Sequence, residues 1–291
     1  IDVTTNLGMH TFTGGSSATP IAGSPFTVTG TNSKALSGLT QGTEYFYTVV
    51  AKNATETSAA SNEISASTTL TNIEVSDVEN ASDLPNCPTC DLVVATGGKL
   101  TIDENKTFNS VTVAPGAKLT LADTKTLTGA LILQSNTNAS ATFIDENASP
   151  ASVTATVQQH LPAASTRTWW YLASPVTGAA SSVFGSNKVG DYSETTRSYS
   201  NPFAAPTTLT AGKGYVVKMT AESAANYIFA NQTLNTGDIS VALTRTVTET
   251  PDNAKRGFNL VGNPYPSYID WDYVYLEGVN VRPTIWYRTL N

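Results

Sequence analysis

The side chains able to do acid–base or nucleophilic work are few. Histidine occurs twice, as His10 and His160, and no Gly-x-Ser-x-Gly elbow accompanies them, so a nucleophile paired with a histidine base has almost no candidates. Ala211-Gly-Lys-Gly214 sets glycines around a lysine. A phosphate-cradling loop, however, needs the longer Gly-x4-Gly-Lys-Ser/Thr spacing and a following helix, and a strand pattern follows here, so the stretch reads as a turn. Asp103 with Glu104, and Asp270 with Asp272, could in principle supply the two carboxyls of glycoside hydrolysis, but adjacent carboxylates on solvated turns are usually surface. Asp270-Trp-Asp272 and Asp77-Val-Glu79 offer oxygens to calcium, which takes about six to eight of them, but without the spacing of an EF-hand loop. No metal site and no cofactor is assigned; calcium alone has candidate ligands.

Two cysteines, Cys87 and Cys90, lie in Asn86-Cys-Pro-Thr-Cys90. No histidine is near them to complete a zinc site, and the helix that a redox-active Cys-x-x-Cys would open is missing from the pattern. A local disulfide closing a turn in an exported protein is the expectation. Trp271, Trp286 and Tyr287 remain as binding candidates. An aromatic face offers apolar area of fixed geometry to a sugar ring, whereas alternating strand aromatics also fill the core of a sandwich; exposure separates the two. The chain reads as a non-enzyme.

The composition agrees. The 291 residues carry a net charge of −7 and a pI near 4.8, and only 13% are charged, against about 25% in an average domain. Scattered cations in an acidic chain do not make a nucleic-acid surface. No apolar run approaches the roughly 20 residues of a membrane-spanning helix. Threonine, serine, asparagine and glycine suit short strands joined by turns, so the fold class expected is all-β.

Three tandem modules are expected, over residues 1–70, 71–151 and 152–291. In the first, Tyr45, Tyr47, Val49 and Ala51 alternate with Phe46, Thr48 and Val50, the period of a strand with one face in a core. Tyr45 follows a turn at Leu39-Thr-Gln-Gly42, where its hydroxyl can reach back to the backbone as a tyrosine corner. In the second, Leu92-Val-Val-Ala-Thr-Gly-Gly-Lys-Leu-Thr-Ile102 recurs as Val111-Thr-Val-Ala-Pro-Gly-Ala-Lys-Leu-Thr-Leu121, a spacing of 19 residues, with a looser copy from Leu131 to Ile144. A unit of two short strands cannot bury its apolar face alone, so stacked rungs of a small β-solenoid fit best, with a meander within a sandwich as the fallback. The third carries strand-like runs at Val153–Gln159, Thr168–Ala173, Gly214–Met219, Ile239–Leu243 and Gly257–Gly262, with no sustained helical period, and is read as a jelly-roll-like β-sandwich.

The pattern Leu39, Gly42, Thr43, Tyr45, Tyr47, Val49, Ala51, Asn53 and Ser61-Asn62 resembles a fibronectin type III domain whose opening strands would lie before Ile1. The 19-residue units are similar to linker repeats of large surface proteins of Bacteroidetes. Trp169-Trp-Tyr-Leu-Ala-Ser-Pro-Val176, Leu209-Thr-Ala-Gly-Lys-Gly-Tyr215 and Phe258-Asn-Leu-Val-Gly-Asn-Pro-Tyr-Pro-Ser-Tyr-Ile-Asp-Trp271 resemble a domain found near the C-terminus of surface proteins that these bacteria export by the type IX route. That family's domain continues past a strand like Ile285-Trp-Tyr287. The resemblance implies a middle piece of a long polypeptide at the extracellular cell surface. There it would be a rod or spacer of an adhesin or gliding filament, with glycans, surfaces or other cell-surface proteins as partners. An accessory or carbohydrate-binding region of a secreted polysaccharide-degrading enzyme is the alternative.

Overall fold

The computed structural model describes residues 4–12, 18–20, 24, 26–28, 35–52, 55–149, 152–162, 169–219, 225–247, 256–276 and 278–286. Strands dominate, and the chain packs as two compact units, Ile1–Ile73 and Glu74–Asn291.

The first unit is a sheet of five strands: β1 (Thr4–Phe12), β2 (Ala18–Pro20), β3 (Phe26–Val28), β4 (Glu44–Lys52) and β5 (Ile64–Ser67). Its order is β2-β1-β4-β5, with β3 also pairing β1, and every pairing is antiparallel. The alternation from Tyr45 to Ala51 does form one strand. Among its residues of described burial only Tyr45 is buried; Tyr47 and Val49 are half-buried.

The second unit opens on a β-solenoid of about four turns. Its first face stacks β6 (Asn72–Val75), β8 (Cys87–Val94), β10 (Lys106–Val113), β12 (Leu127–Leu133) and β14 (Thr154–Leu161); its second stacks β7 (Val78–Asn80), β9 (Lys99–Ile102), β11 (Lys118–Leu121) and β13 (Thr142–Asp145). The described ladders of both faces are parallel from rung to rung. The 19-residue period of the sequence is the ladder register itself, since Val94 pairs with Val113 and Leu100 with Leu119. Stacking brings like residues together, so Val94, Val113, Leu133 and Val157 run as one buried column and Leu100, Leu119 and Phe143 as another. At about 25 cal/mol per Å² of apolar surface removed from water, burial of these columns stabilises the stack.

Turns between the faces repeat too. Gly98 donates its N–H to Ala95 O and Ala117 to Ala114 O, with Gly97 and Gly116 at positive φ as a type II turn requires. Asparagines one period apart tie successive rungs: Asn86 Oδ1 accepts from Thr107 N–H at 2.7 Å and Asn105 Oδ1 from Thr126 N–H at 3.0 Å.

The remainder forms β15 (Trp169–Leu172), β16 (Lys188–Gly190), β17 (Tyr192–Ser193), β18 (Ser198–Tyr199), β19 (Tyr215–Lys218), β20 (Ala225–Thr233) and the helix α1 (Trp271–Leu276). Strands β15-β19-β16 make an antiparallel sheet, and β17 and β18 a short hairpin. Strand β20 instead joins the solenoid, antiparallel to β14, and places Phe229 opposite Val157 at the end of the buried column. The other face is closed by Pro266 O, which accepts the N–H of Phe143. The β14 edge of the first face is thus paired, which removes a template for aggregation. The boundary expected at residue 151 runs inside this sheet, because β14 lies beyond it and pairs with β12.

Two strand-like runs differ from expectation. Residues 239–243 are irregular, and 257–262 contribute only the bridge Lys213–Val261. A helix, α1, also stands where the sequence shows no sustained helical period. Asp270 caps it, its Oδ1 accepting the N–H of Asp272 at 3.0 Å, while Val274 N–H closes the first turn onto Asp270 O.

Candidate functional site

The C-terminal motifs converge. Gly214 N–H donates to Leu260 O and Gly262 N–H to Gly212 O, and a Cβ on Gly262 would meet the Ala173 side chain. Asn235, buried, donates to Ser174 O at 3.0 Å and Pro264 O at 2.9 Å, and accepts from Thr177 Oγ1 at 2.8 Å. Three motifs far apart in sequence therefore share one backbone junction, and Ala211-Gly-Lys-Gly214 is a turn within it.

Beside this junction the surface is aromatic. Trp286 is 75% exposed and Phe258 45% exposed, their ring centroids 6.4 Å apart at a tilt of 47°. Such exposure is incompatible with core packing of Trp286 within this unit. Trp271, by contrast, is half-buried at the first position of α1, and its indole N–H donates to Pro283 O at 2.6 Å, holding the segment after the helix against it. Tyr287 lies outside the described residues.

The remaining candidates are structural in place. Tyr45 is buried, and its hydroxyl accepts the N–H of Thr40 at 2.8 Å. Cys87 and Cys90 are joined in a disulfide that spans a bulge in β8, where Phe108 and Ser110 of β10 face Cys87 and Asp91. Asp91 accepts from Ser110 Oγ and Asn109 Nδ2, which holds its carboxyl below the usual carboxylate range. Asp270 Oδ1 caps α1 and Asp77 Oδ1 accepts from Val78 N–H. Among the described residues no group of three or more His, Cys, Asp or Glu side chains could hold a metal ion. No helix among them is long and apolar enough to cross a membrane.

Three arrangements escaped the sequence reading. His160 Nδ1 lies 2.6 Å from Asn226 Oδ1 and its Nε2 lies 3.2 Å from Thr137 Oγ1. Asn226 Nδ2 donates to Ser135 O, which orients the amide so that its oxygen takes the Nδ1 proton and Nε2 faces the threonine hydroxyl. This has the order of a nucleophile, base and orienting group. The N–H groups of Asn138 and Ala139, however, are bonded to Asn136 Oδ1, so they offer no oxyanion site, and the network ties the 135–140 turn to β14 and β20.

Glu194, 4% exposed, accepts from Thr246 Oγ1 at 2.7 Å, Thr246 N–H at 2.9 Å and Gly257 N–H at 2.8 Å. These donors, the Thr246 hydroxyl first, pull its carboxyl down to about 2. Finally, Tyr215 repeats the geometry of Tyr45, its hydroxyl accepting Thr210 N–H at 2.7 Å. The signal for this last one was present, since Leu-Thr-x-Gly-x-x-Tyr occurs at both 39–45 and 209–215.

A family model described as a domain of unknown function (DUF8693) matches residues 68–287. The chain belongs to this family. The matched span takes in the solenoid and everything described after it, and so treats as one domain the unit in which β20 completes the solenoid sheet. No curated protein and no solved structure matches the chain.

Proposed function

We propose that this chain is a non-catalytic β-module of a large exported cell-surface protein, an adhesin or filament, in which it acts as a stiff spacer. The observation that carries the reading is the unbroken buried column Val94–Val113–Leu133–Val157–Phe229, which runs through the rungs and ends under a dedicated capping strand. A solenoid stabilised rung by rung transmits load along its axis and needs no active-site cleft. The local Cys87–Cys90 disulfide suits an oxidising, extracellular setting. The Tyr45 corner and the antiparallel order β2-β1-β4-β5 support a fibronectin type III origin for the first unit. The junction of the three C-terminal motifs supports kinship with the sandwich domain of type IX-exported surface proteins.

The test is immunogold labelling of intact native cells with antibodies to residues 74–291, together with protease shaving. Labelling of unbroken cells and loss of the epitope on shaving are the expected results; labelling that appears only after lysis overturns the reading.

The exposed pair Trp286 and Phe258 favours a second reading, in which the module contacts polysaccharide for a secreted degrading enzyme. Retention on insoluble polysaccharide that is lost in Trp286→Ala, in a parent chain carrying a catalytic domain, would establish it over the spacer.

A further inference from the structure

Across the C-terminal sheet, Trp169, Lys218 and Lys188 stand in one row on β15, β19 and β16, because Lys218 pairs with both of the others. Residues directly opposite in an antiparallel ladder share a face. With strands about 4.8 Å apart, the row is roughly 10 Å wide. The Lys218 ammonium lies 5.3 Å from the Trp169 ring centroid. Trp169 is 44% exposed and Lys188 is exposed. Two residues along β15 on the same face, Tyr171 stacks on Tyr199 with ring planes 15° apart, and Tyr199 is 52% exposed.

The two lysines are the anomaly. Like charges directly opposite each other destabilise a sheet. Carboxylates outnumber Lys and Arg by 23 to 16 in this chain, yet the ion pairs among the described residues engage Lys106 and Lys213 and not these two. A cross-strand cation pair beside an exposed indole has the composition of a site for an anion attached to a ring.

We propose that this face binds an acidic saccharide. The Trp169 indole and the Tyr199 ring take the apolar faces of sugar rings, and Lys188 and Lys218 take the carboxylate or sulfate between them. A polyphosphate fits less well, since two lysines neutralise few phosphates and the net charge of −7 opposes approach of a polyanion. The site lies on β15, β19, β16 and β18, whereas Phe258 and Trp286 belong to the segments before and after α1. It extends the surface-module reading but does not need it, because binding is measured on the isolated chain and localisation on cells.

The experiment is calorimetric titration of the full chain with an oligogalacturonate, a heparin-derived hexasaccharide, cellohexaose and a single-stranded oligothymidylate. Binding of one or both acidic oligosaccharides is expected, roughly tenfold or more tighter than cellohexaose, as loss of one good charged contact would imply. The double variant Lys188→Ala/Lys218→Ala loses that margin and leaves cellohexaose unchanged, while Trp169→Ala weakens every saccharide. Lys188→Gln/Lys218→Gln keeps a polar side chain without the charge, and both double variants should stay folded by circular dichroism, the relieved repulsion offsetting the lost Lys218–Trp169 contact. Which acidic probe binds identifies the anion. Failure of both, affinity indifferent to the lysines, or tighter binding of the oligothymidylate overturns the proposal.

Discussion

Tyr215 receives a hydrogen bond from the backbone of Thr210, five residues upstream, at 2.7 Å. Tyr45 does the same with Thr40 at 2.8 Å, and in both cases a glycine at positive φ, Gly212 or Gly42, turns the chain between the partners. The device recurs in two separate units. Replacing either tyrosine by Phe removes an acceptor from a partly buried N–H, at a cost of about 1 kcal/mol. Calorimetry should show Tyr45→Phe lowering only the transition of residues 1–73 and Tyr215→Phe only that of residues 74–291. A shift of both transitions in either variant would contradict this.

The solenoid and the region after it should unfold together. The sequence pattern divides this stretch into two tandem modules, but β20 pairs with β14 and Phe229 completes the column through Val157. Phe229→Ala is expected to cost about 3–5 kcal/mol. It should lower a single transition for residues 74–291, without splitting it. Two resolved transitions within that unit, or loss of only one part's structure, would mean that the shared sheet does not couple them.

Gly98 has no room for a side chain, because a Cβ there would sit 2.5 Å from Val75 O and 2.9 Å from Ala95 O. Gly98→Ala must displace the first rung. Gly97→Ala meets no atom within 4 Å but places alanine at φ +86°, a conformational cost of about 1–2 kcal/mol. Denaturant titration should rank Gly98→Ala as the more damaging; equal or reversed effects would show that the turn relaxes freely.

Glu194 should make stability depend on acid pH. Its carboxyl ordinarily titrates near 4.5 and is lowered to about 2 in the fold by the donors of Thr246 and Gly257. A depressed carboxyl contributes stability that is present above the unfolded value and is lost as pH falls from about 4.5 through about 2. Glu194→Gln should therefore lower the melting midpoint at pH 7 and narrow its gap to the parent as pH falls through that window. A gap constant from pH 7 to pH 2 would show that the carboxylate charge is not what those donors hold.

Reduction of the Cys87–Cys90 bridge should cost roughly 2 kcal/mol or less, because so short a loop restricts the unfolded chain little. Melting with and without reductant measures it. A loss of several kcal/mol would show that the bridge holds the β8 bulge, and with it the register of β10.

The solenoid was legible in the sequence because parallel stacking places equivalent residues on one another, so Val94 over Val113 and Leu100 over Leu119 had to repeat at the rung length. The Tyr45 corner was legible because turn and acceptor lie within five residues. Local patterns misled at 239–243 and 257–262, where alternation was present but no continuous ladder partner was. Only the tertiary structure could recruit β20 as the solenoid's cap, bring Glu194 to Thr246 and Gly257, or line up Trp169, Lys218 and Lys188. Those contacts join segments that share no period, and which distant strand closes an edge or which donors converge on a buried carboxylate is decided by packing of the whole unit, on which spacing along the chain is silent.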